Sequence, residues 1–126
     1  MKQAAAIVAA LCAVGIPLWW AAMYRFAAVR DWFMPDEAWA AFQPVIWADT
    51  ALTIVTAHLA LRLYQGRATS AHTGVAFGAW LYASAYTVGW AVAIHAPPAG
   101  PLSMFFPFVG FGWLHHVVST RGTGTA

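Results

Sequence analysis

One carboxylate, Asp49, interrupts the apolar stretch Val45-Ile-Trp-Ala-Asp-Thr-Ala-Leu-Thr-Ile-Val-Thr-Ala-His. An ionisable side chain among such neighbours is costly to bury, so it marks a candidate site. At helical spacing Thr53, Thr56 and Ala60 share its face, and hydroxyls beside a carboxylate could line a narrow polar cavity. The structural alternative stays open: the threonines bond back to their own helix, and Asp49 pairs with Arg25 or Arg30 near a membrane surface. His58 falls on the opposite face of the same segment, with Trp47, Ala51 and Arg62. One of the two faces must therefore meet a neighbouring helix, a cofactor or a partner chain. His95 lies at the same end of the molecule as Asp49, and the two are acid–base candidates.

The remaining histidines offer a different chemistry. His58, His72, His115 and His116 gather toward the other end, where facing helices bearing histidine can ligate a b-type haem or a metal. The adjacent pair His115–His116 turns its rings about 100° apart on a helix of 3.6 residues per turn. Only one of them could enter a shared site, and a histidine near a helix end also serves as a plain polar anchor. No cofactor is firmly implied. Cys12, the only cysteine, excludes an intrachain disulfide and a CxxC motif, and reads as a small hydrophobe.

The elements that must position these groups follow from composition. Hydrophobic residues make up 62% of the 126 and charged ones 8%, against roughly 25% charged in a soluble domain. The expected fold class is an all-α membrane protein: one domain, a four-transmembrane-helix bundle. A span needs about 20 mostly apolar residues, and 4–27, 45–64, 71–95 and 102–119 qualify. The first run is longer than a signal-peptide core and is expected to stay as an anchor. Pro17 should kink the first span, and Pro107 should kink the fourth or mark its true start. Between the first two spans, 28–44 mixes Arg30, Asp31, Asp36 and Glu37 with Trp32, Phe33, Trp39 and Phe42, as an interfacial segment or lid does. The second connection, 65–70, is polar and basic, and the third, 96–101 (APPAGP), is a tight turn. Lys2, Arg62, Arg67 and Arg121 fall on one side and Arg25 and Arg30 on the other, so the positive-inside rule places both termini in the cytoplasm. An inner membrane of bacterial type is the expected location. The net charge of +2 is read as a topology signal, and nucleic acid is not an expected partner.

In the third span Gly74, Gly78, Ala85 and Gly89 share a face, and Gly74-Val-Ala-Phe-Gly78 is a GxxxG pattern that permits close helix packing. A second face holds His72, Ala76, Ala79, Ala83, Tyr86 and Trp90. One face is expected to pack within the chain, and either could meet another subunit. Trp19, Trp20, Trp32, Trp39, Trp47 and Trp90 crowd the outer side. This asymmetry suggests an aromatic pocket under the 28–44 segment, with Asp49, His95, Trp47, Trp90, Thr53, Asp36 and Glu37 as candidate ligand contacts.

Three functional classes fit. A non-catalytic accessory subunit packing against a larger membrane complex accounts for the two-faced third span and the lack of a catalytic motif. A binding protein or enzyme for a lipid-like, isoprenoid or quinone ligand uses the aromatic pocket. It is similar in character to emopamil-binding-type isomerases, with no shared motif and no residue carried over. The third class is a haem-binding protein or a small oligomeric transporter. In outline the chain resembles the small multidrug-resistance proteins, but their first helix carries a substrate-binding glutamate, and this first span has no carboxylate within it.

Overall fold

The computed structural model describes residues 2–96 and 98–124, which form helices and no strand. Chain with so few polar side chains must satisfy its backbone internally, and the helix does so within one segment. The long helices are α1 (Lys2–Arg25), α4 (Val45–Tyr64), α5 (Ser70–Ala93) and α6 (Ala99–Gly124), with two short ones, α2 (Ala27–Asp31) and α3 (Asp36–Phe42), between the first pair. α1 continues through Pro17 and α6 through Pro107. Each proline lacks an N–H, so the carbonyls of Ala13 and Ser103 lose their usual helical donor.

Local chemistry sets the boundaries. Phe26 leaves helical geometry (φ −124°, ψ 108°) and ends α1 two residues before the expected limit of 27. After α4, Gly66 takes a positive φ of 70°. Its N–H donates to the Leu63 carbonyl at 3.1 Å and Arg67 N–H to the Arg62 carbonyl at 2.8 Å, a glycine-centred Schellman stop. α5 opens on a capping box, in which Thr69 Oγ1 accepts from His72 N–H and Thr69 N–H donates to His72 Nδ1 at 3.1 Å. It ends before His95, which takes the left-handed conformation (φ 52°). His95 N–H reaches the Val92 carbonyl at 3.4 Å and Ala96 N–H the Ala91 carbonyl at 2.9 Å, the same stop with a histidine where glycine is usual.

The long helices pack in series: α1 on α4, α4 on α5, and α5 on α6. α1 and α6, the ends of the series, are not packed along their length, and a cleft runs between them. Polar ties join the helices inside the bundle. Trp80 Nε1 on α5 donates to Thr56 Oγ1 on α4 at 3.0 Å, and Thr73 Oγ1 on α5 meets His115 Nδ1 on α6 at 3.0 Å. The core has two parts. Ala9, Leu52, Leu59, Ala76, Trp80 and Phe111 fill the middle of the bundle, while Trp20, Met23, Met34, Ala38 and Phe42 pack α2, α3 and the loop between them onto α1. Large apolar side chains such as Leu11, Ile54, Leu81 and Phe106 face outward.

Three helical stretches, Gln3–Arg25, Val45–Tyr64 and Gly100–Thr120, are long and apolar enough to cross a membrane. α5 matches α1 in length at 24 residues but is not among these three. Its two small-residue faces have different fates. Ala76 and Ala83 are buried, whereas Gly78, Ala85 and Gly89 are exposed. A Cβ on Gly78 or Gly89 would meet nothing within 4 Å; one on Gly74 would come 3.2 Å from His115 Cε1. Within this chain, then, the GxxxG pattern makes one close contact, through Gly74.

Candidate functional site: a carboxyl-floored cavity beside the cleft

Asp49 projects from the buried face of α4, with Leu52, Thr56, Leu59, Ala60 and Leu63 following on the same side. It is 9% exposed. Trp20 Nε1 of α1 donates to its Oδ2 at 2.7 Å, and Tyr86 OH of α5 donates to its Oδ1. The carboxyl group thus joins three helices. Trp20 is itself fixed by stacking on Phe42, with ring centroids 5.4 Å apart and planes 17° from parallel. The pairing with Arg25 or Arg30 is replaced: Arg25 lies over the Phe26 ring at 5.4 Å, and Arg30 lies over Trp39 at 5.2 Å.

In front of Asp49 is a cavity of about 280 Å³. α1 supplies Gly15, Ile16 and Trp19, α5 supplies Tyr86, Thr87 and Trp90, and α6 supplies Pro101, Met104 and Pro107. Phe33, Met34 and Phe42, from the segment between α1 and α4, close one end. The hydroxyls on these walls are already engaged, Thr87 Oγ1 with the Ala83 carbonyl at 2.7 Å and Ser103 Oγ with the Gly100 carbonyl at 2.6 Å. Asp49 with Tyr86 is therefore the polar pole of an otherwise apolar chamber. An ionised carboxylate has about four acceptor positions, and the two helix contacts leave some for a guest. The arrangement can orient a donor group and bury hydrocarbon.

Of the residues expected in this pocket, the structure brings Asp49 and Trp90 to it. Thr53 Oγ1 bonds back to the Asp49 carbonyl at 2.9 Å, which satisfies it on its own helix, outside the lining. Trp47 is 76% exposed, because it shares the outer face of α4 with His58. His95 is exposed and serves the stop after α5, although its neighbours Ile94 and Ala96 do line the cavity. Asp36 and Glu37 are exposed in the first turn of α3, where carboxylates favour the positive end of a helix. Tyr86, Trp80 and Met104 also line the cavity, and Trp20 holds its carboxyl group without lining it; in the sequence Trp20 is one more outer-side aromatic and Tyr86 one member of a packing face.

No family model, curated protein or solved structure matches the chain. The remaining site candidates stand on their geometry alone. His58 and His72 meet edge to face at 5.4 Å, with Arg62 Nε 3.3 Å from His58 Nε2. His115 turns inward to Thr73 and stacks near Phe77, while His116 lies beside Trp113. Among the described residues no three His, Cys, Asp or Glu side chains converge as metal ligands would.

Proposed function

We propose that the chain crosses a bilayer four times, with both termini cytoplasmic, and holds a lipid-like molecule in the Asp49 cavity. α5 packs between α4 and α6, which are each long and apolar enough to span. A 24-residue helix in that position has the length to return the chain across about 30 Å of hydrocarbon. The basic residues Lys2, Arg62, Arg67 and Arg121 favour the cytoplasmic assignment, with α2 and α3 lying at the opposite interface. Labelling tests this part. In a Cys12→Ala background, Gln65→Cys and Asp36→Cys should react with an impermeant maleimide from opposite sides of the membrane; reaction from the same side refutes the topology.

The observation that carries the binding reading is the cavity itself: apolar, aromatic-walled, and floored by one carboxyl group. Its 280 Å³ falls just short of the roughly 300–1,000 Å³ usual for ligand pockets. Protein extracted in native lipid discs should retain an apolar molecule in stoichiometric amount by mass spectrometry. Gly15→Leu places a side chain into the cavity from a position where a Cβ meets nothing within 4 Å, and should expel the molecule. Equal lipid content in the two proteins refutes the reading.

The open glycine face of α5 favours a second reading, a non-catalytic accessory subunit of a larger membrane complex. Under it Gly78→Leu and Gly89→Leu leave the chain folded but abolish stoichiometric co-purification with other subunits. Purification as a lone chain speaks against it.

A further inference from the structure

A second cavity, of about 430 Å³, continues the cleft between α1 and α6 toward the other end of the bundle. Ala5, Val8, Gly110 and Leu114 belong to its walls, and Cys12 and Pro107 line both cavities. The two cavities are therefore neighbours along the cleft, with Cys12 and Pro107 at the level between them. From Ala5 to Trp19 the lining runs about 21 Å along α1 at the helical rise of 1.5 Å per residue. One leaflet of a 30 Å hydrocarbon core is about 15 Å deep, so the cleft is long enough for one extended hydrocarbon chain. The two cavities offer about 280 and 430 Å³. On the scale at which a 150 Å³ cavity takes one benzene, the space suits on the order of thirty heavy atoms.

The polar pole lies at one end, at Asp49. Trp20 and Tyr86 both donate into it, so what it still offers a guest is acceptor capacity. A phosphate or carboxylate head brings only acceptors and like charge, whereas a hydroxyl brings a donor. We infer that the occupant is a single-chain lipid alcohol, its hydroxyl at Asp49 and its tail along the α1–α6 cleft past Cys12. This rests on the binding reading above and adds to it the length, the head chemistry and the path.

Photolabelling of the full chain in lipid discs tests it, with two analogues of a four-isoprene alcohol. One carries a diazirine beside the hydroxyl, the other on the terminal isoprene unit. The first should label Ile16, Trp19 or Met104, and the second Ala5, Val8 or Leu114. Gly110→Leu fills the lower cavity from another position where a Cβ meets nothing within 4 Å. It should cut labelling by the terminal probe at least about tenfold more than labelling by the first. Three outcomes count against the proposal in different ways. If the first probe labels the upper walls while the terminal probe scatters over outward residues such as Leu11, Ile54 and Leu81, the path is wrong and the binding reading stands. If the corresponding prenyl phosphate competes as well as the alcohol, the head assignment is wrong. If neither probe labels the cavity above the level seen in Gly15→Leu, the binding reading falls as well.

Discussion

Replacing Asp49 separates its role as a tie from its proposed role as a ligand contact. In Asp49→Ala, Trp20 Nε1–H and the Tyr86 hydroxyl lose their shared acceptor in a site where Asp49 is 9% exposed. In water-soluble proteins each buried orphan costs about 1–3 kcal/mol. Between helices in a membrane, single hydrogen bonds average about 0.6 kcal/mol and reach about 1.7. The second scale fits this chain better, because the unfolded helices also find partners in lipid, and two bonds then give roughly 1–3 kcal/mol. Asp49→Asn behaves differently. Its carbonyl oxygen can accept from Trp20, and its amide N–H₂ can donate to the Tyr86 oxygen, so both contacts persist as neutral pairs of about half the strength. The expected loss is under about 1 kcal/mol. A cycle with Tyr86→Phe should return a coupling near 1 kcal/mol for the wild-type pair. Unfolding free energies by steric trapping in bicelles measure all of these. Asparagine as damaging as alanine would show that something other than these two bonds depends on the carboxylate. Alanine within about 0.5 kcal/mol of wild type would sink the three-helix tie altogether. If Asp49→Asn keeps the fold yet loses the bound molecule, the carboxylate acts on the ligand.

Three smaller substitutions probe the frame around the cavity. Thr56→Val keeps the shape of a fully buried side chain but removes the acceptor for Trp80 Nε1; a loss of about 1–2 kcal/mol is expected in the same assay, and Thr56→Ser should recover most of it. His95→Gly relieves a left-handed residue (φ 52°) and should stabilise the chain by roughly 1 kcal/mol without changing ligand retention; lost retention would return His95 to the site. Gly112→Ala would bring a Cβ to 2.9 Å from Phe77 Cε1. That ring already lies between Phe108 at 5.5 Å and His115 at 6.2 Å, so a cost of about 1–3 kcal/mol is expected from overpacking, and a neutral result would mean that the α5–α6 seam yields easily.

How far the sequence could be read depends on the range of the interactions concerned. Long apolar runs report helices because hydrocarbon leaves the backbone no alternative; capping chemistry moved their ends at Phe26, Thr69 and His95, while α6 (Ala99–Gly124) starts inside the expected 96–101 turn and runs past the expected limit of 119. Asp49 was legible for a related reason: one carboxylate among apolar neighbours is expensive wherever it points, and the shared face with Thr56 and Ala60 follows from helical spacing alone. Its partners were not legible. Trp20 and Tyr86 lie 29 and 37 residues away, and a tryptophan or tyrosine in a span looks the same whether it anchors at the headgroups or donates to a buried acceptor. A sharper question would have found the candidates: a buried carboxylate needs donors, and within the spans only Trp, Tyr and a few hydroxyl groups can supply them at that depth. His95 shows the converse error. It shares a side with Asp49, but side is coarser than direction, and one left-handed residue turns its ring out of the cavity while Ile94 and Ala96 remain in it. The cleft between α1 and α6 was beyond reach for a third reason. Which helices pack closely is a property of the whole series, and here the sparse packing of α1 against α6 is what leaves the cleft open.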